Sequence, residues 1–299
     1  MLGPRRATIL IVTVGAVWGL YWMPLRRLED LATAGPWATA AVLLVAVAVL
    51  APAAWRGRTR LSAAPLRALV SVATGGAAFV LYANGFLYGQ VAVVILMFYL
   101  TPIWSTLIAR FWLGRTISWW RYAALVTGIT GIGLVLRGAH GGVPLPQETG
   151  DWLGLASGVL WAIGSTGIHG HSRTRPAETN FVFCAGGLLA AIVLAPLLAG
   201  AAVPGISTAN ALPALGWIVL IGVGWWAFSL TAFVAATQVV DPPRVGILLM
   251  SEVIVGTISA ALFAGEPFGL LVALGTVLVI SAGILESAPD RLAAAIAKR

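Results

Sequence analysis

The sequence predicts an all-α integral membrane protein with ten transmembrane helices in two inverted five-helix repeats. Charged residues make up only 9% of the 299 residues and hydrophobic residues 60%, and the mean hydropathy is +0.95. A soluble domain carries roughly 25% charged residues. The apolar residues gather in ten long runs, and two segments of the first half of the chain recur in the second half.

Each apolar run is long enough to cross the hydrocarbon core as a helix, which takes about 20 residues. Helices are expected because every backbone N–H and C=O must be satisfied within a lipid-embedded segment, and a barrel strand is about half as long. The first run follows Arg5 and Arg6, has Trp18, Tyr21 and Trp22 at its end and is not followed by a small-x-small cleavage site, so we interpret it as a retained helix. The ten runs cover approximately residues 7–24, 34–52, 66–88, 91–113, 119–136, 151–169, 178–199, 212–239, 244–264 and 268–286.

The distribution of positive charge predicts the topology. With the N-terminus in the cytoplasm and ten spans, 15 of the 18 Lys and Arg residues fall on the inner side, and Arg26, Arg27 and Arg137 on the outer side. The positive-inside rule therefore favours cytoplasmic N- and C-termini and explains the net charge of +8 without nucleic-acid binding. The fifteen include Arg115, Arg173, Arg291, Lys298 and Arg299.

Cysteine and histidine usage indicates neither a disulfide nor a metal site. The single Cys184 has no intrachain partner, and His169 and His171 are two residues apart, so on a helix they would not share a face. His140 stands alone at a predicted helix end. We expect no cofactor, and no Walker-type motif indicates direct coupling to ATP.

Two matches indicate an internal repeat. Trp18 in the first run and Trp161 in the sixth are 143 residues apart in similar surroundings, and the segment 94–115 resembles the segment 245–266 at an offset of 151. Runs one to five thus correspond to runs six to ten, in units 1–140 and 141–299. Because five is odd, the second unit enters the membrane from the opposite side, an arrangement typical of carriers that work by alternating access.

These motifs resemble a known family. The paired Trp18-Gly19 and Trp161, the sequence Leu249-Met-Ser-Glu252-Val and the later Gly265-Glu266 resemble the EamA-type members of the drug/metabolite transporter superfamily, and most of all the YddG-type exporters of aromatic amino acids. The resemblance implies outward movement of aromatic and other neutral amino acids across the bacterial inner membrane. In the first half, Thr101-Pro102 and Gly114-Arg115 stand where many members have Glu-Pro and Gly-Glu.

The polar and aromatic residues inside the runs define a candidate substrate site. Glu252 is the only acid deep inside a run, where an ionised carboxylate is costly unless it faces a cavity or a partner; it either binds a substrate amine or proton, or serves as a protonated structural group. Aromatic rings inside runs would hold an apolar side chain by burial and an ammonium by cation–π attraction, or simply pack the core. The expected substrate-binding residues are Trp18, Tyr82, Asn84, Tyr99, Trp161, Ser251 and Glu252.

Pro102, in the middle of the fourth run, is expected to kink its helix and to act as a gate hinge. Val253 is its equivalent in the second half at the offset of 151, so the two halves are not expected to bend identically there.

Other functional classes fit less well. An intramembrane enzyme would need a nucleophile and base or a metal cluster, and a passive channel would need a polar stripe along several spans. A nucleotide-sugar carrier would need several cavity cations for the phosphates, and an exporter of cationic drugs or other small metabolites is the main alternative. The expected partners are a neutral or aromatic amino acid and the lipid bilayer, with a monomer as the expected assembly. Proton coupling and facilitated diffusion both remain open.

Overall fold

A computed structural model describes residues 3–32, 35–111, 114, 119–168, 174–201 and 205–287. These residues fold into helices without a strand, which confirms the predicted all-helical membrane fold. Eight helical stretches are long and apolar enough to cross a membrane. The 20-residue helix Thr149–Ile168 and the shorter apolar helix Leu270–Glu286 occupy the other two predicted runs. His169 and His171 lie outside the described residues, as do Arg115, Arg173, Arg291, Lys298 and Arg299.

Among the described residues, the first half contains five long helical stretches, two of which consist of two consecutive helices, and one short helix in a connection. Proline occupies the first turn of α1 and of α3, where its missing N–H costs no hydrogen bond. Gly35 takes the left-handed φ of +49° that joins α2 to α3, and its N–H donates to Glu29 Oε2 at 2.7 Å. The helices are α1 (Pro4–Gly19), α2 (Trp22–Ala32), α3 (Pro36–Arg56), α4 (Arg58–Ser62), α5 (Leu66–Tyr88), α6 (Val91–Phe98), α7 (Thr101–Phe111) and α8 (Trp119–His140).

The second half differs from the first by a π-helix of nine residues, Ile221–Ser229, in the middle of its third stretch. A π-helix is rare and short in most proteins and is frequent at functional sites. The helices are α9 (Thr149–Ile168), α10 (Pro176–Leu198), α11 (Thr208–Leu220), the π-helix, α12 (Leu230–Thr237), α13 (Pro242–Leu248), α14 (Met250–Phe263) and α15 (Leu270–Ser287).

Equivalent stretches in the two halves are interrupted near their middle. The first interruption lies at Tyr99 and Leu100, between α6 and α7, just before Pro102. The second lies at Leu249, between α13 and α14, although no proline follows. At the offset of 151, Leu249 corresponds to Phe98, so the two interruptions lie within two residues of equivalent positions.

Glycines let the helices that surround the centre approach closely. A Cβ on Gly19 of α1 would lie 2.7 Å from the Glu252 carbonyl oxygen in α14, and one on Gly158 of α9 would lie 2.9 Å from the Phe98 carbonyl oxygen in α6. Because glycine has no side chain, the backbones of neighbouring helices can approach closely at these positions. The close packing brings the interrupted stretches against α1 and α9, and this positions the site.

Candidate functional site

Two adjoining cavities lie where the interrupted helices meet. The larger has a volume of about 170 Å³ and the smaller about 30 Å³, and both are lined by Trp18, Phe79, Leu230 and Glu252. The further lining of the larger cavity consists of Phe98, Tyr99, Thr101, Pro102, Trp161, Phe233, Gly246, Leu249, Met250 and Gly283. The further lining of the smaller cavity consists of Tyr21, Tyr82, Trp225 and Trp226.

The larger cavity extends towards one end of the bundle. Phe233 lies four residues before the last residue of α12, Gly246 four residues after the first residue of α13, and Gly283 four residues before the last residue of α15. With ten spans of alternating direction, as the sequence predicts, these three positions lie towards the end of the bundle where α1 begins. The larger cavity thus approaches that side from the centre of the bundle.

The structure brings most of the predicted site residues to these cavities. Trp18, Tyr99, Trp161 and Glu252 line the larger one together with Pro102, the predicted hinge. Tyr82 lines the smaller one.

Two predicted residues lie in helix interfaces instead. Asn84 is fully buried, donates to the Val80 carbonyl at 2.9 Å and accepts from Thr39 Oγ1 at 3.4 Å, so it faces α3. Ser251 donates to the carbonyls of Val12 and Leu248. Neither residue is among the described lining residues of the two central cavities, and each side chain makes its hydrogen bonds to backbone or to a neighbouring helix.

Glu252 is the polar centre of the site. Glu252 is 2% exposed, and the two oxygens of its carboxyl group accept hydrogen bonds from Tyr82 Oη and Tyr99 Oη, each at 2.8 Å. Tyr99 Oη also lies 2.9 Å from the carbonyl of Leu249, the residue between α13 and α14, and the Glu252 N–H donates to the same carbonyl at 2.9 Å. Neutral hydroxyls hold the carboxyl group, and the described linings of the two central cavities contain no Lys, Arg or His, so a positively charged ligand could replace the hydroxyls.

Phe79 of α5 is the centre of the aromatic wall, and sequence reasoning missed it. Its ring lies 5.2 Å from the ring of Trp161, 5.6 Å from that of Trp18 and 5.8 Å from that of Phe98. The spacings match edge-to-face and tilted aromatic packing. No sequence signal distinguishes Phe79 from other apolar residues of its run; only the packing of α5 against α9 and α10 reveals it.

The π-helix brings two neighbouring tryptophans to the smaller cavity. Trp225 Nε1 donates to the Val17 carbonyl at 3.2 Å, and Trp226 Nε1 donates to Tyr21 Oη at 2.9 Å. The fully buried Asn180 of α10 donates to the carbonyls of Trp226 and Ala227 at 2.8 and 3.1 Å. Asn180 therefore fixes the π-helix to α10, a role that nothing in the sequence pattern indicated.

A hydrogen-bonded ion pair lies at the end of the bundle opposite to the end that the larger cavity approaches. Glu266 accepts from the backbone N–H groups of Val91 and Ala92 at 2.8 and 3.2 Å and pairs with Arg26 at 3.3 Å. Arg26 also donates to the carbonyl of Gly89 at 3.0 Å. This network, which we call the Glu266 latch, ties α2 and the start of α6 to the segment that follows α14.

A second ion pair lies at the other end of the bundle. Arg60, just after the start of the short helix α4, donates to the carboxylate of Glu178 in the first turn of α10. This hydrogen bond raises the pKa of the Arg60 guanidinium above its ordinary value. Arg60 thus fixes the connection between α3 and α5 to the start of α10.

The fold and the site together define a class of protein. It is a multi-pass helical membrane protein with an aromatic cavity and one carboxyl group at its centre, and the described residues contain no group of three metal-ligating side chains. Such a cavity is suited to hold a compact organic molecule within the membrane.

The comparisons with known proteins agree with this class. Residues 5–137 match the EamA-like transporter family, so the first half of the chain carries an EamA-like domain. A solved structure described as "Crystal structure of protein" aligns with a TM-score of 0.59 over 93% of this chain and 95% of that chain, at 17% identity; this likeness concerns the fold alone. No curated protein is significantly similar in sequence.

Proposed function

We propose that the protein is a secondary carrier that exports aromatic and other neutral amino acids across the bacterial inner membrane by alternating access. The observation that carries the proposal is the cavity of about 170 Å³ between Trp18, Phe79 and Trp161, with Glu252 in its wall. The family match over residues 5–137 supports transport of a small molecule. The resemblance to YddG-type exporters supports the amino-acid substrate, and the distribution of Lys and Arg supports the cytoplasmic location of both termini.

The chemistry of the cavity supports an aromatic or large neutral side chain as its occupant. Burial of such a side chain stabilises a complex by about 1.5–3 kcal/mol. An ammonium group gains about 0.5–2 kcal/mol from a nearby aromatic face, and it can also donate a hydrogen bond to the Glu252 carboxylate and form an ion pair with it. Trp18, Tyr99 and Trp161 would surround the side chain, with Tyr82 and Glu252 at the ammonium end.

The packing of the helices supports the two inverted repeats, 1–140 and 141–299. When the halves are exchanged, the contact of α5 with α9 becomes that of α1 with α12, and the contact of α1 with α14 becomes that of α9 with α6 and α7. The contacts of α8 with α15 and of α3 with α10 map onto themselves. Such symmetry allows one unit to rock against the other around a central site.

We propose Pro102 as a hinge in this motion. It lies in the first turn of α7, directly after the interruption at Tyr99 and Leu100, and it lines the larger cavity. Its missing N–H removes the hydrogen bond that would make the stretch rigid. Pro102→Ala is expected to lower turnover; unchanged turnover would remove the hinge role.

An exporter of cationic drugs is the second candidate, and one observation favours it. Glu252 is the only acidic or basic side chain in the described linings of the two central cavities, so a cation without a carboxylate would meet no unfavourable charge there. A nucleotide-sugar carrier is disfavoured for the same reason, because phosphates need basic partners.

Uptake into proteoliposomes tests the proposal. The purified full-length protein is assayed with a panel of labelled neutral amino acids, with and without a pH gradient, beside Trp161→Ala and the matched control Trp55→Ala. Trp55 is 71% exposed on the outside of the bundle. Saturable uptake that Trp161→Ala abolishes and Trp55→Ala preserves supports the proposal, and its response to pH separates coupled from facilitated transport. Uptake of organic cations alone would favour the second candidate.

A further inference from the structure

The indole N–H groups of the cavity tryptophans are not equivalent. Trp18 Nε1 donates to Ser229 Oγ at 2.8 Å, Trp225 Nε1 to the Val17 carbonyl and Trp226 Nε1 to Tyr21 Oη. Among the residues that the structure describes, Trp161 Nε1 has no hydrogen-bond partner. Three tryptophans are thus fixed as walls, and one retains a free donor.

The other polar donors of the larger cavity are also committed. Thr101 Oγ1 donates to the Phe98 carbonyl at 2.6 Å, with the Gly158 carbonyl at 3.3 Å as a second acceptor. Tyr99 Oη donates to Glu252 or to the Leu249 carbonyl. The cavity lining that the structure describes contains no Lys, Arg or His.

The packing of Trp161 turns its N–H edge away from α5. A Cβ on Gly75 of α5 would lie 3.1 Å from Trp161 Cζ3, so the absence of a side chain at Gly75 makes room for this edge of the ring. In indole, Cζ3 and Nε1 lie at opposite edges. The N–H edge therefore points away from Gly75, on a residue that forms part of the cavity wall.

An amino acid in this cavity needs a donor for its carboxylate. An ion pair is not available, and Glu252 would repel a second negative charge at close range. A buried carboxylate without a hydrogen bond is strongly disfavoured. The carboxylate of the substrate therefore requires a neutral hydrogen-bond donor at a distance from Glu252, and the indole N–H of Trp161 is such a donor.

We propose that the indole N–H of Trp161 binds the carboxylate of the transported amino acid while its ammonium group faces Glu252. This assignment rests on the proposed amino-acid transport. It makes Trp161 a specificity-determining residue that separates amino acids from amines with the same side chain. The rings of Phe79 and Phe98, 5.2 and 6.2 Å from that of Trp161, would then face the substrate side chain.

The test replaces the indole by a ring without a donor. Trp161→Phe in proteoliposomes is assayed for uptake of labelled phenylalanine, and unlabelled phenylalanine and phenethylamine are compared as competitors. Phenethylamine has the same ring and ammonium group but no carboxylate. Because the lost bond involves a charged acceptor, the KM for phenylalanine should rise roughly 10- to 100-fold while the inhibition constant of phenethylamine stays within about twofold.

Trp225→Phe is the matched control. Its N–H already donates to Val17, so any effect should be the same for both competitors. If wild-type protein carries phenylalanine but Trp161→Phe changes both constants equally or neither, the carboxylate assignment is wrong and the proposed function stands. If wild-type protein carries no amino acid, the proposed function fails and the assignment fails with it.

Discussion

The Glu266 latch gives a quantitative prediction for Glu266→Gln. The two carboxylate oxygens accept the N–H groups of Val91 and Ala92 and pair with Arg26. The glutamine amide keeps one oxygen, so its NH₂ group must face one of the two backbone donors, and the charge that attracts Arg26 is gone. Each charge-assisted hydrogen bond contributes about 1.5–3 kcal/mol, and the change removes about one such bond and weakens a second.

The conformation closed at this end should therefore lose about 3 kcal/mol relative to one in which the latch is open. This corresponds to a shift of roughly 100-fold in the conformational equilibrium. The bond between Glu266 and Val91 is buried away from most solvent, since the Glu266 side chain is 9% exposed. Screening by water or salt should thus reduce the effect only slightly.

The assay measures access to the cavity from the latch side. Leu230 lines both cavities, so Leu230→Cys in a Cys184→Ala background is labelled with a membrane-impermeant thiol reagent in vesicles of each orientation. Glu266→Gln should increase the labelling rate from the latch side by one to two orders of magnitude. Arg27→Gln is the control, because Arg27 and its partner Asp30 are exposed and lie 3.7 Å apart, and such pairs contribute little. Equal labelling rates in Glu266→Gln and Arg27→Gln would refute the latch.

Three further predictions concern the packing around the site. Asn180→Leu leaves the carbonyls of Trp226 and Ala227 without their extra donor and should lower stability by about 1–3 kcal/mol, seen as a lower Tm in detergent; an unchanged Tm would contradict its role in fixing the π-helix. Gly76→Ala places a Cβ against the Phe183 carbonyl and 2.8 Å from Gly187 N, so it should cost about 1–3 kcal/mol, whereas Gly216→Ala, with no atom within 4 Å, should be neutral. Thr101→Val removes the hydroxyl that donates to the Phe98 carbonyl and should destabilise the protein by about 1–3 kcal/mol. The cost should be smaller in a Pro102→Ala background, because that change supplies a backbone N–H at position 102 that can donate to the same carbonyl. Equal costs of Thr101→Val in the two backgrounds of a double-mutant cycle would contradict this account.

Composition and run length were sufficient to predict the fold. The low charge content and the run lengths predicted helical spans, and each of the ten predicted runs coincides with a helical stretch. The acidic and aromatic residues inside the runs also indicated where a cavity would form. A carboxyl group in lipid costs free energy unless it faces a cavity or a partner, and aromatic rings can hold an apolar ligand by burial. Trp18, Tyr99, Trp161 and Glu252 do line the larger cavity.

The parts that could not be predicted depend on contacts between distant segments. Phe79 is one apolar residue among many in its run, and its central place follows from the packing of three helices. No proline follows the interruption at Leu249, and the hydrogen bonds that join the π-helix to Asn180 come from a residue 46 positions before Trp226. Asn84 and Ser251 looked like cavity residues because they are polar, yet helix interfaces satisfy the same hydrogen bonds.

The central claim is that the aromatic cavity around Glu252 is the substrate site of a carrier. Its most direct test is the kinetics of labelled phenylalanine uptake by wild-type protein, Phe79→Ala and Phe228→Ala. Phe79 is at the centre of the ring cluster, whereas Phe228 is 74% exposed on the outside of the bundle. We expect saturable uptake by wild-type protein. The kcat/KM should be at least about tenfold lower in Phe79→Ala, because about 1.5–3 kcal/mol of apolar contact is lost, and unchanged in Phe228→Ala. Thermal unfolding of both variants checks that they are folded. Uptake by a folded Phe79→Ala variant that equals that of wild-type protein would contradict the claim.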